Sequence, residues 1–198
     1  MPNFQKLQTE KQDVKKEYIF FLKTISLLAF PICCLFLLVP HELCTLLWGK
    51  SWKQVGDYLP FIGILLLMQS MTSTTGSMFV IYHKEKALFV MGTINALIMI
   101  AAIIMGAQFS ALSILTYYSF AFIFLCIPIT LIWGYRKSYS FSWVEICDVW
   151  SFDLIYCMII FLSLIFNQPY VIYFLTAILI FLKSIRGYKL FKNNYQAK

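Results

Sequence analysis

Between Tyr58 and Tyr82 the chain carries no charged residue, yet the middle of that stretch reads Gln69, Ser70, Thr72, Ser73, Thr74, Thr75, Gly76 and Ser77. Roughly 20 apolar residues in a helix cross the hydrocarbon core of a bilayer. A segment that served only as an anchor would hold Leu and Ile at that depth. At helical spacing Gln69, Thr72, Ser73, Gly76 and Ser77 share one face. Amides and hydroxyls at membrane depth face neighbouring helices or a wet cavity. Two readings follow. The small and hydroxyl residues let helices approach closely and bond across the gap or back to their own carbonyls, or the face lines a path for a polar substrate.

Other chemistry-bearing residues fall into no catalytic pattern. His41 and His83 are expected on opposite sides of the membrane, so they make no paired metal site. The six cysteines (Cys33, Cys34, Cys44, Cys126, Cys147, Cys157) form no CxxC pair, and most lie in or beside apolar spans as small hydrophobes. Gly49-Lys50-Ser51 is not a phosphate loop, because the required upstream glycine position is Cys44 and no strand precedes it. Asp148 and Asp153 read as a solvated face of a loop. No catalytic residue, cofactor or metal is expected, and no enzymatic role.

The elements that position the polar run are set by composition. The chain is 61% hydrophobic and 13% charged, against about 25% charged in a soluble domain. A net charge of +7 in such a chain reflects Lys and Arg kept in cytoplasmic loops rather than nucleic-acid binding. The order read along the chain is a polar, amphipathic arm at 1–18 and then spans at about 19–39, 58–82, 87–107 and 112–133. An interfacial loop at 136–153, a terminal helical hairpin over 154–182 and a basic tail at 183–198 follow. Pro31 is expected to kink the first span and Pro40 to end it. Gly92 and Ala96 form a small-xxx-small pair suited to close helix contact, and Asn95 is the one amide of the third span. With both termini cytoplasmic, every Lys and Arg except Lys50 and Lys53 falls inside or at Lys23 beside it, where a lysine can snorkel to the headgroups. The expected fold is thus an all-α integral membrane protein of six transmembrane helices, with the arm, the 136–153 loop and the tail in the cytoplasm. No charge is expected at mid-depth.

The residues also carry a family resemblance. Pro2, Phe4, Gln8, Tyr18, Phe30 and Pro31 follow the order of a helix end, a charged stretch and an apolar-Phe-Pro helix. Gly49, Trp52, Leu59, Gly76, Lys84 and Lys86 continue as a Gly/Trp shelf, a span with a small polar run, and a basic turn. In this order the chain resembles bacterial polysaccharide flippases of the multidrug, oligosaccharidyl-lipid and polysaccharide exporter superfamily, over about residues 1 to 135. Pro2, Pro31, Gly49, Trp52 and Gly76 are the family-like structural positions.

The resemblance implies the last six helices of a fourteen-helix exporter, from a truncated or split form. The function implied is translocation of undecaprenyl-pyrophosphate-linked oligosaccharide, such as an O-antigen unit, across the bacterial inner membrane by alternating access. Gln69, Thr72, Ser73, Ser77 and Asn95 would then line the cavity and hydrogen-bond sugar hydroxyls or pyrophosphate. The implied partners are membrane lipid, the lipid-linked oligosaccharide, and either the exporter's missing N-terminal helices or further copies of the chain, with no nucleic acid. An inactive remnant and a stand-alone six-helix protein, either an assembly subunit or a small membrane enzyme, are the alternatives.

Overall fold

Prolines and glycines punctuate a chain that is otherwise helical. The computed structural model describes residues 2–166 and 168–196, with side chains described at 14–166, 168, 170, 172–185 and 187. Helix α1 spans Pro2–Leu38. Pro40 opens α2, Pro40–Trp48, in its first turn, where a missing N–H forfeits no helical bond. Gly49 ends α2 at φ 92°, a backbone region open to glycine. A 3-10 stretch, Lys50–Asp57, leads to α3, Leu59–Thr72. Then come α4 (Thr75–Ile81), α5 (Glu85–Ala107), α6 (Ala111–Ser138), α7 (Trp143–Ile165) and α8 (Pro169–Gln196). No strand occurs among the described residues.

Among the described residues, five segments are long and apolar enough to cross a bilayer: Val14–Leu38, Leu59–Ile81, and the whole of α5, α6 and α7. A sixth apolar stretch in α8, Ile172–Ile185, is shorter. The protein is an all-α, multi-pass membrane protein. Lipid tails are as apolar as leucine, so close packing rather than exclusion of water holds such helices together. The packed centre joins α1, α3, α6 and α7, where Leu22, Cys33, Ile64, Met68, Ile123 and Cys157 are all fully buried. Helix α5 stands at the edge, with only Met91, Ala102 and Gly106 buried. It meets α6 through Gly106, where an added Cβ would lie 2.6 Å from the Ile114 Cα.

Several boundaries differ from the sequence reading, each for a local reason. The arm is not separated from the first span; α1 continues through both, and through Pro31, which is exposed. Its inner part is tied to the α6–α7 turn, where Lys15 Nζ donates to the Ser140 carbonyl at 2.8 Å and lies 5.1 Å from the Phe141 ring centre. The span over 58–82 divides at Ser73 and Thr74. The 136–153 segment is mostly helix. Helix α6 runs on to Ser138 and α7 begins at Trp143, leaving only a short turn between them. Trp150, expected at the interface, is buried within α7. The sixth apolar stretch and the basic tail form one helix as far as Gln196. Gly92 meets no neighbour within 4 Å and both it and Ala96 are exposed, so that pair makes no close helix contact within this chain.

Two features explain the altered ends of α6 and α7. Helix α6 contains π-helical stretches at Phe122–Cys126 and Thr130–Ser138, flanking Pro128, which has no N–H to give the carbonyl one turn back. Helix α7 starts with a capping box. Ser142 Oγ accepts from the Glu145 N–H at 3.2 Å, and the Glu145 carboxylate accepts from the Ser142 N–H at 2.7 Å. Ser142→Ala is expected to lower stability by about 1 kcal/mol, read as a fall in the thermal midpoint of detergent-solubilised protein, while Val144→Ala on the exposed face changes it little.

Candidate functional site

Two polar clusters lie within the spans. The first is the Gln69–Ser77 run, which bends its own helix. Ser70 Oγ donates to the Leu67 carbonyl at 2.9 Å, Thr72 Oγ1 to the Met68 carbonyl at 3.2 Å, and Ser73 Oγ to the Ser70 carbonyl at 2.8 Å. Hydroxyls bonding back in this way loosen the helical ladder, and α3 gives way to α4 at this point. The inner side of the break is closed by tyrosines. The Tyr18 hydroxyl lies 3.1 Å from Thr74 Oγ1 and 3.0 Å from the Tyr135 hydroxyl, and Tyr139 donates to the Thr75 carbonyl at 2.8 Å. Burial raises the Tyr139 phenol above its ordinary range, so it remains a neutral donor. Phe79, Phe141 and Trp150 pack around these rings.

The outer side of the run is open. Gln69, Ser73 and Ser77 are exposed, Thr72 is half-buried, and Gly76 meets no neighbour within 4 Å. Gln69 Nε2 donates to the Tyr118 hydroxyl of α6 at 3.2 Å. Asn95 binds a different part of α6, with Nδ2 3.3 Å from Thr130 Oγ1 and its Oδ1 buried without a hydrogen-bond partner among the described residues. Trp52 is exposed on the 3-10 shelf after Gly49. Pro2 is the first residue of α1, and its side chain lies outside those described. The sequence marked the polar run but not its tyrosine backing, because Tyr18 and Tyr135 are 117 residues apart.

The second cluster corrects the readings of Asp153 as a loop residue and of Lys183 as a tail charge, since both are buried between helices. Asp153, expected on a solvated loop, is 3% exposed in the middle of α7, and Lys183, assigned to the tail, is 9% exposed. Lys183 Nζ lies 2.5 Å from Asp153 Oδ1, donates to Ser26 Oγ at 2.6 Å and to the Ser26 carbonyl at 3.2 Å, and sits 4.5 Å from the centre of the Phe30 ring. Ser26 Oγ in turn donates to Asp153 Oδ2 at 2.6 Å. The ammonium thus donates to both Ser26 oxygens and forms an ion pair with the Asp153 carboxylate. One turn nearer the N-terminus of α1, Lys23 pairs with Asp148 at 2.5 Å rather than snorkelling alone. The whole arrangement ties α1, α7 and α8 together. The Ser142–Glu145 spacing in the sequence is the signal that would have moved Asp148 and Asp153 from a loop onto a helix. No three His, Cys, Asp or Glu side chains converge to hold a metal among the described residues.

With this geometry in place, comparison with known proteins finds partial matches. Residues 1–57 match the model of a family described as "Polysaccharide biosynthesis protein". The chain is 21% identical over 107 residues to the lipopolysaccharide biosynthesis protein WzxC of Escherichia coli (strain K12). That match covers 54% of this chain and 22% of WzxC, so the chain spans about a fifth of that relative's length. No solved structure matches. The resemblance to polysaccharide flippases drawn from the sequence is upheld by these matches, which are partial in both chains.

Proposed function

From a multi-pass chain similar to polysaccharide flippase proteins, we propose that it forms part of an exporter for lipid-linked oligosaccharide in the bacterial inner membrane. In this reading six helices span the membrane with both termini cytoplasmic. The remaining helices come from the rest of an exporter or from further copies, and the undecaprenyl-pyrophosphate-linked sugar moves by alternating access. The observation that carries it is the exposed face of Gln69, Ser73 and Ser77 at the middle of an otherwise apolar span. Such groups are not left to lipid; they face protein or a water-filled cavity. Neutral amides and hydroxyls also suit a cargo that must be bound and then released. Thr72 contributes less, because it is half-buried where Ser73 is exposed.

The test replaces the outward face alone. Gln69→Leu/Ser73→Leu/Ser77→Leu is expected to leave membrane insertion and protein level intact while reducing surface polysaccharide at least about tenfold, the equivalent of about 1.4 kcal/mol on transport. Export equal to the parent at equal protein level would remove the cavity role. A lowered protein level would assign the face to helix packing.

A further inference from the structure

The Asp153 cluster has the chemistry of a cation site. Lys183 Nζ is surrounded by a carboxylate oxygen, a serine hydroxyl, a backbone carbonyl and an aromatic face. Oxygen donors and a ring face attract any compact cation, whatever it is attached to. The set is contributed by α1 and α7, while the ammonium alone comes from α8. The hydroxyl is oriented to accept from the cation because its own proton is committed to Asp153.

Charge decides the valence. Asp153 is the one acidic member of the cradle, and the neighbouring carboxylate, Asp148, is paired with Lys23. One negative charge balances a monovalent cation; a divalent ion would leave net charge at membrane depth, which is costly. Access is also present. A cavity of about 40 Å³ opens beside the pair, lined by Lys23, Leu27, Val149 and Gly187 as well as the cluster itself, and that volume admits about two or three waters.

We propose that Asp153, Ser26 and the Phe30 ring form an intramembrane monovalent-cation site whose resident cation is the chain's own Lys183 ammonium. Removing the side chain opens the site to sodium or a small primary ammonium. The inference does not rest on the exporter reading, and its readout is stability rather than transport.

The experiment compares full-length wild type, Lys183→Ala and Asp153→Asn/Lys183→Ala in nanodiscs, titrated with sodium chloride or methylammonium chloride against choline chloride at equal ionic strength. Lys183→Ala is expected to melt below wild type in choline and to recover saturably with sodium or methylammonium, as a ligand bound only by the folded state requires. Wild type and the double variant are expected to show no difference among the salts. Lys23→Met/Lys183→Ala, in which the neighbouring lysine cannot swing over to Asp153, is expected to respond in the same way. If Lys183→Ala does not accumulate in ordinary medium, growth with methylammonium is expected to restore it. The inference is overturned if neither lysine variant responds to either cation in melting or accumulation, or if the double variant lacking the Asp153 charge responds equally.

Discussion

Asp153→Ala is expected to destabilise the protein by about 3 kcal/mol, at the lower end of the 3–5 kcal/mol typical when one partner of a buried pair is lost. The reason is the group left behind. Among the described residues, the Lys183 ammonium would remain buried against the two Ser26 oxygens and the Phe30 ring. The adjacent cavity lets water relieve part of that cost, which sets the expectation at the lower end. The pair as a whole is a different matter. Asp153→Leu/Lys183→Met removes both charges at similar volume and is expected to lie within about 1 kcal/mol of wild type, because desolvation offsets most of the attraction within a buried pair. A thermal or denaturant melt of wild type, Asp153→Ala and Asp153→Leu/Lys183→Met checks both statements. An Asp153→Ala protein as stable as the parent would show that Lys183 is solvated rather than held.

The second large effect is expected at Gly106. An alanine there would place its Cβ 2.6 Å from the Ile114 Cα, 2.9 Å from the Ile114 nitrogen and 2.9 Å from the Ser113 carbonyl. These are backbone atoms and cannot swing aside, so α5 must move off α6. The expected cost is about 1–3 kcal/mol, the range for overpacking. Because α5 buries little else, the shift should appear as loosened α5–α6 contact, with faster proteolysis or increased cysteine labelling at Ala102→Cys. Gly92→Ala and Gly76→Ala serve as controls. Both positions are open, and alanine's better helix propensity makes these changes neutral or slightly stabilising, by up to about 1 kcal/mol. Equal behaviour of all three glycine variants would remove the close-approach argument.

What the sequence determined by itself rests on local composition. An apolar stretch of about 20 residues specifies a spanning helix without reference to any neighbour. Hence α3 with α4, α5 and the body of α6 follow the expected spans closely, and the family order over the first part of the chain was legible. The polar run at Gln69–Ser77 was legible for the same reason: it stands out against its own surroundings.

Tertiary structure decided which polar groups are satisfied and by what. Asp153 and Lys183 each look like an interfacial charge in sequence, because each lies near the end of an apolar stretch. Only the packing of α7 and α8 against α1 brings them together with Ser26, 127 and 157 residues away along the chain. The same holds for the glycines. Gly92 and Ala96 carry the small-xxx-small spacing yet face outward, whereas the same spacing at Ala102 and Gly106 is buried, and Gly106 takes the close contact because the turn before α6 folds that helix back against it. Spacing fixes which residues share a helix face; which face meets a neighbour depends on where the other helices lie, and that information is not local to any stretch of the chain.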